Sequence, residues 1–247
     1  MKCGRVLLVM VAALSLPGAA LFALSFDEID ANAGLIFIGS NAPSGYSRPN
    51  LAIAPLLGVS VPFQLSGPFF FEPGLDILGT YYEWISSANM AVITPSESGS
   101  GFFTLGALLS AQIGARFPVS SAISLGGAVG MDLFLRFPIE LQNQVQSDES
   151  SALGWFFGGR FIYPEVRLFM RWHVSDPVDL LLNFRGFYPL YHLWDGSGQP
   201  FWDALMVSGG VGFAIRLRPA PAPAGSSPAG STPAGSAPDS SAPAPVK

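Results

Sequence analysis

The chain has 247 residues, 49% of them hydrophobic and only 12% charged, with a mean hydropathy of +0.42. Ordinary globular domains carry about 25% charged residues, so the composition points to a membrane protein or to one with little water-facing surface. A net charge of −5 gives no basis for nucleic acid as a partner, and a single cysteine excludes a disulfide framework and a cysteine-based metal site.

Residues 1–25 read as a secretory signal peptide. Lys2 and Arg5 precede the apolar run VLLVMVAALSLPGAALFAL, and Ala23-Leu24-Ser25 offers small residues for a cut before Phe26. Cys3 precedes the apolar run, whereas a lipoprotein signal carries its cysteine at the end of that run. An uncleaved helical anchor is the alternative. GLIFIG at 34–39 is the first expected strand and the least patterned.

Residues 49–71 carry no charge and are long enough to cross a bilayer as a helix, but Pro49, Pro55, Pro62 and Pro68 oppose one. Parity decides for a strand. Leu51, Ile53, Leu57, Val59, Val61 and Phe63 are odd and bulky, while the even positions are mostly small. Residues 69–81 set Phe69, Phe71, Leu75, Ile77 and Tyr81 against Glu72, Asp76 and Thr80. In 102–119 every odd position from Phe103 to Val119 is apolar, and the even ones include Thr104, Ser110, Gln112 and Arg116. In 123–139 the odd positions are apolar apart from Gly127, and the even ones hold Ser124, Asp132 and Arg136. The register then switches: in 164–174, Val166, Leu168, Met170 and Trp172 oppose Glu165, Arg167, Arg171 and His173. Residues 178–190 set Val178, Leu180, Leu182, Phe184 and Tyr188 against Asp179, Asn183 and Arg185. A final strand at 207–218 brings the count to eight.

Period-two patterning stops at Arg218. Residues 219–247 repeat Pro-Ala-Gly-Ser without an aromatic residue, a composition expected to stay disordered and extended. The organisation predicted is therefore a signal peptide (1–25), a folded domain (26–218) and a Pro/Ala/Ser/Gly-rich tail (219–247).

A soluble sandwich also alternates, but three features favour a transmembrane barrel. The strands exceed the usual five or six residues and suit a tilted membrane crossing. Aromatics gather at strand ends: Phe63, Phe69, Phe71, Phe117 and Trp172 at one, and Tyr81, Trp84, Phe103, Phe137, Tyr188 and Tyr191 at the other. Connections alternate in length, with tight turns at 64–68, 120–122 and 175–177 and long ones near 40–48, 85–101, 140–161 and 191–205. The fold expected is all-β, an eight-stranded antiparallel transmembrane β-barrel with a disordered C-terminal tail. An even strand number, with short turns inside, places it in the outer membrane with both termini periplasmic.

Ser208, Gly210, Phe213 and Ile215 supply a polar residue, a glycine two on, and hydrophobics at the fifth and seventh following positions. This resembles the C-terminal β-signal of bacterial outer-membrane barrels, which implies recognition by the barrel-assembly machinery. In most such barrels the signal closes the polypeptide, whereas here a tail follows. Over 26–218 the layout resembles the small eight-stranded families typified by OmpW, OmpX and the membrane domain of OmpA, without a family-specific catalytic or ligand motif.

The inward positions form an expected lumen network of Glu72, Asp76, Gln112, Arg116, Asp132, Arg136, Glu165, Arg167, Arg171, Asp179, Asn183, Arg185 and Arg216. There is no lysine between Lys2 and Lys247, and arginine pairs with carboxylates in planar, multidentate fashion. An eight-stranded interior is just wide enough to be filled by side chains, so a salt-bridged plug is expected. A charged constriction selecting small anionic or zwitterionic solutes is the alternative. Catalysis has little support: His173 and His192 lie at opposite ends, and His192, Asp195 and Ser197 imitate a lipid A-modifying set only as loop neighbours. No cofactor and no metal site are expected. The reading is a non-enzymatic barrel, structural or narrow-pored, or else a surface adhesin. Its partners are outer-membrane lipid, the assembly machinery and external molecules meeting the long loops, where Trp155, Phe156 and Phe157 form an exposed anchor or extend a strand.

Overall fold

A computed structural model describes residues 28–41, 51–94, 101–141, 146–194 and 200–217. The expected signal peptide and tail lie outside the described residues. The strands are β1 (Glu28–Gly39), β2 (Leu51–Ser60), β3 (Phe63–Gln64), β4 (Phe69–Ile85), β5 (Met90–Thr94), β6 (Gly101–Pro118), β7 (Ile123–Leu141), β8 (Ile162–Ser175), β9 (Val178–Phe187) and β10 (Met206–Arg216). Eight of them, all but β3 and β5, form the wall. Each pairs antiparallel with the next in sequence, and β10 returns to β1, so the sheet closes. Closure removes every free edge from the wall, the condition a β-structure must meet in hydrocarbon.

The period-two sequence explains which face turns out. Even-numbered residues of β1, β2, β4, β6, β7 and β10 point inward, and odd-numbered residues of β8 and β9 do so. Leu57, Ile113, Val129, Leu168, Phe184 and Val211 are each more than half exposed on the outer face. A continuous apolar belt of this kind is far more than a soluble monomer leaves in water and is the surface a barrel offers to lipid. Among the described residues no helix is long and apolar enough to cross a membrane, so crossing falls to the strands.

Pro62 interrupts the second strand. It lacks an N–H, so β2 ends at Ser60, and β3 resumes the line along β4 with Phe63 opposite Phe71. The turn closing β3 and β4 places Gly67 at φ +57°, in the left-handed region that favours glycine. This turn, Val119–Ala122 and Asp176–Pro177 share one end of the barrel with Glu28 and Arg216. The long connections gather at the other.

That loop end differs from expectation. The stretch near 85–101 includes β5, which pairs with the last residues of β4 where β2 no longer reaches. The stretch near 140–161 includes a helix, α1 (Gln146–Phe157). Trp155–Phe157 is therefore neither a strand extension nor a free anchor: Phe156 is buried, Trp155 packs partly buried against the interior cluster, and Phe157 alone is exposed. Trp84 and Tyr191 are likewise buried inside rather than in an outer aromatic ring. Inward packing of these rings outweighs exposure at the rim.

The first strand is longer than its patterned segment, beginning at Glu28. Its seam with β10 sets Gly34 opposite Gly210 and Asn32 opposite Gly212. A Cβ on Gly34 would lie 2.2 Å from the Gly209 carbonyl oxygen, and one on Gly212 2.2 Å from that of Ala31. Only glycine lets the first and last strands approach so closely.

Candidate functional site: the filled interior

The interior divides into three levels. The middle level is polar. Arg167 on β8 donates from Nη1 to Glu72 Oε1 on β4 at 2.6 Å and from Nε to Asn183 Oδ1 on β9 at 3.0 Å. Ser60 adds a hydroxyl bond to Glu72 at 2.5 Å. Arg185 on β9 donates from Nη1 to Asp76 Oδ2 at 2.5 Å and from Nε to Glu165, with Asp132 Oδ1 3.7 Å from its Nη2. Gln112 Nε2 donates to Glu165 Oε2 at 2.7 Å. In the ring order β9 stands on the wall opposite β4, so the Arg185–Asp76 bond crosses the full lumen. All these side chains are buried. Charge inside a barrel survives desolvation only when paired, and the planar guanidinium fork lets one arginine hold two or three carboxylates.

Inward glycines make room for this layer. A Cβ on Gly58 would lie 1.8 Å from Asp76 Oδ1, and one on Gly130 2.8 Å from the Gln112 side chain. The cavity left among Ser60, Asp76, Gln112, Arg167 and Arg185 is about 10 Å³, room for about one water.

The loop-end level is aromatic. Phe134, Tyr163, Tyr82, Phe102 and Phe156 pack edge-on or stacked at 5.1–6.3 Å between ring centroids. Arg136 belongs here and not to the ion-paired layer. Its guanidinium lies 4.7 Å from the Phe134 ring and 4.6 Å from that of Phe156, and it donates to the Arg160 carbonyl. Helix α1 supplies the Phe156 and Ala152 that close this level from above. Tyr191, in the short helix Leu190–Leu193, is tucked in beside Arg160, and burial pushes its hydroxyl above the usual phenol range.

The turn-end level begins with an apolar floor of Phe70, Ala128, Phe169 and Leu181. Below it Arg171 binds Glu28 and Asp30 on β1, and Arg116 reaches Glu28 at 3.5 Å. Asp179 accepts from Arg216 Nη2 and from His173 Nδ1, each at 2.8 Å. Glu28 and Asp30 escape the sequence reading because β1 alternates weakly there: Ala31 and Ala33 give little contrast with their neighbours.

The remaining candidates scatter. His192 donates from Nε2 to the Asp203 carbonyl at 2.8 Å at the loop end, far from His173, and Asp195 and Ser197 lie outside the described residues. Ser208 is buried on the inner face of β10, while Phe213 and Ile215 point outward, exposed, between β1 and β9. Among the described residues no group of acidic, histidine or cysteine side chains is arranged to hold a metal ion.

No protein-family model matches the chain, and no curated protein matches it. Among solved structures it is similar to the Neisserial surface protein A at 12% identity, covering 78% of this chain and 98% of that one with a TM-score of 0.50. It also aligns with OprG of Pseudomonas aeruginosa (8% identity, 78% and 97% covered, TM-score 0.44). A third is Ail of Yersinia pestis (10% identity, 77% and 99% covered, TM-score 0.40). At such identities the likeness is one of fold, and the first of the three carries it.

Proposed function

Because the chain has the fold of the small eight-stranded outer-membrane β-barrels, we propose that it is a sealed, non-enzymatic outer-membrane protein whose loop end faces outward as a platform for contact. The observation that carries this is the Arg185–Asp76 bond across the lumen, stacked between an aromatic level and an apolar floor. A solute path would have to break buried ion pairs at every crossing. Both described chain ends lie at the turn end, which fits termini in the periplasm and the long connections outside. The outward pair Phe213 and Ile215 fits an assembly signal read from the lipid-facing side of the last strand.

Planar-bilayer recording of the full-length protein tests the seal. Silence is expected, and stable ohmic steps would refute it. An epitope tag at Ser98 should be accessible on intact cells and one at Ser121 should not; labelling at Ser121 without permeabilisation would invert the topology.

A further inference from the structure

Below the apolar floor the turn end opens into a cavity of about 200 Å³, against the space of about 10 Å³ in the polar middle level. Ser121 and Ser124 line it from the β6–β7 turn and the start of β7, Arg171 and His173 from β8, Asp179 from β9 and Arg216 from β10. The carboxylate in its lining, Asp179, is already occupied. One oxygen of Asp179 takes the His173 Nδ1 bond and the other takes Arg216. The terminal nitrogens of Arg171 are held by Glu28 and Asp30, while its buried Nε has no hydrogen-bond partner. What is left facing the cavity as donors is the serine hydroxyls and the remaining nitrogens of Arg216, with the His173 ring forming part of the wall beside them.

Two of the arginines here are shallower than the buried carboxylates they pair with. The side chains of Glu28, Asp30 and Asp179 are 10%, 0% and 5% exposed, whereas those of Arg116 and Arg216 are 31% and 32% exposed. Arg116 and Arg216 stand at the mouth, whereas Arg171, 4% exposed, lies buried among the carboxylates behind them. Asp176, 91% exposed on the adjoining turn, is a carboxylate at the rim, 3.5 Å from His173 and 4.0 Å from Arg216. Guanidinium and hydroxyl donors around a cleft of this volume match a tetrahedral oxyanion.

We propose that this turn-end pocket binds a phosphate group, with Arg216 and Ser124 as its contacts and His173 in the wall beside it. The phosphate is either that of a free monoester or that of a lipid headgroup, because Phe117 and Trp172 at the same rim face the membrane. The site does not depend on the lumen being sealed, so conductance would leave it standing.

The two histidines make the test internal: His173 lies at the pocket and His192 at the opposite end. The full-length chain, labelled at its histidine rings, is placed in phosphate-free maltoside micelles and titrated with inorganic phosphate at constant ionic strength. A saturable shift of the His173 ring signal is expected, with His192 unmoved. Arg216→Gln should weaken the response at least tenfold, and Ser124→Ala provides a second variant should the first fail to refold. In a second arm, the same micelles are titrated with short-chain phosphatidylglycerol in phosphate-free buffer. A His173 shift there assigns the lipid headgroup as a source, and a response confined to the first arm assigns the free monoester. An unmoved His173 in both arms, an equal shift with chloride, or a shift indifferent to the variants would overturn the proposal.

Discussion

Arg185→Gln removes the cation that Asp76, Glu165 and Asp132 share. Asp76 and Glu165 lose their bonds to it, and Asp132, whose two oxygens have no hydrogen-bond partner, loses the one positive charge near it at 3.7 Å. All three carboxylates are buried, at 3%, 2% and 0% exposure. Removing one partner of a buried ion pair costs about 3–5 kcal/mol because the remaining charge stays desolvated. The glutamine keeps part of the volume, so the loss is electrostatic rather than a cavity effect. Asp132→Asn placed on top should recover part of the loss, with a coupling of at least about 0.5 kcal/mol, since it neutralises the carboxylate without hydrogen bonds. Urea unfolding in lipid vesicles, followed by tryptophan fluorescence and heat-modifiable gel migration, gives both numbers. A cost for Arg185→Gln below about 1 kcal/mol, the worth of an exposed pair, would mean that water reaches this level and that the lumen is open.

Leu109 points outward in the middle of β6, flanked by Leu75 and Leu133, so Leu109→Arg should cost about 2–4 kcal/mol and block refolding into lipid. Gln112→Arg puts its charge beside Glu165 and should be tolerated better; equal effects in vesicle-folding yields would break the register. Deleting residues 219–247 should leave membrane insertion intact, whereas Phe213→Asp should abolish it, and a truncated chain that fails to insert would place assembly information in the tail. Tyr191 is buried with its hydroxyl raised above the usual range, chiefly by desolvation, with Tyr163 and Asp203 adding to it. Its contribution is full below about pH 10, the ordinary phenol value, and is lost as the pH rises further, because the unfolded chain ionises first. Tyr191→Phe should flatten that alkaline fall in stability.

Lipid outside and charge inside give the sequence a contrast at every second residue, and so the wall strands and their register were legible. The contrast fails wherever the inside is also apolar. Leu78, Phe102, Leu108 and Phe134 point inward at positions where the alternation predicts polarity, so the aromatic level is hidden in the linear pattern. Helix α1 and β5 sit in connections whose residues follow neither the wall's period nor a clean helical one, and their placement depends on what lies beneath them. Phe156 finds its site on Tyr82 and Phe102, which come from other strands. Arg136 shows the same limit: its parity placed it inside, but only the fold puts aromatic faces rather than carboxylates around it. The partners of Arg171 at the turn end were invisible for a further reason, since Glu28 and Asp30 belong to the strand with the weakest alternation.

The glycine seam also orders events in time. Every other pair of wall strands is brought together by the chain between them, but Glu28 must meet Arg216 from the two extremities of the folded sequence. Contacts of such separation form late, after the entropy of gathering the intervening chain has been met. Where they form, Gly34, Gly209, Gly210 and Gly212 offer backbone and almost no side chain to recognise. Until that moment the nascent sheet is an open ribbon with two bare hydrogen-bonding margins. The last of these carries Phe213 and Ile215, both turned outward, and its unpaired backbone is open to strand pairing until the ribbon closes on itself.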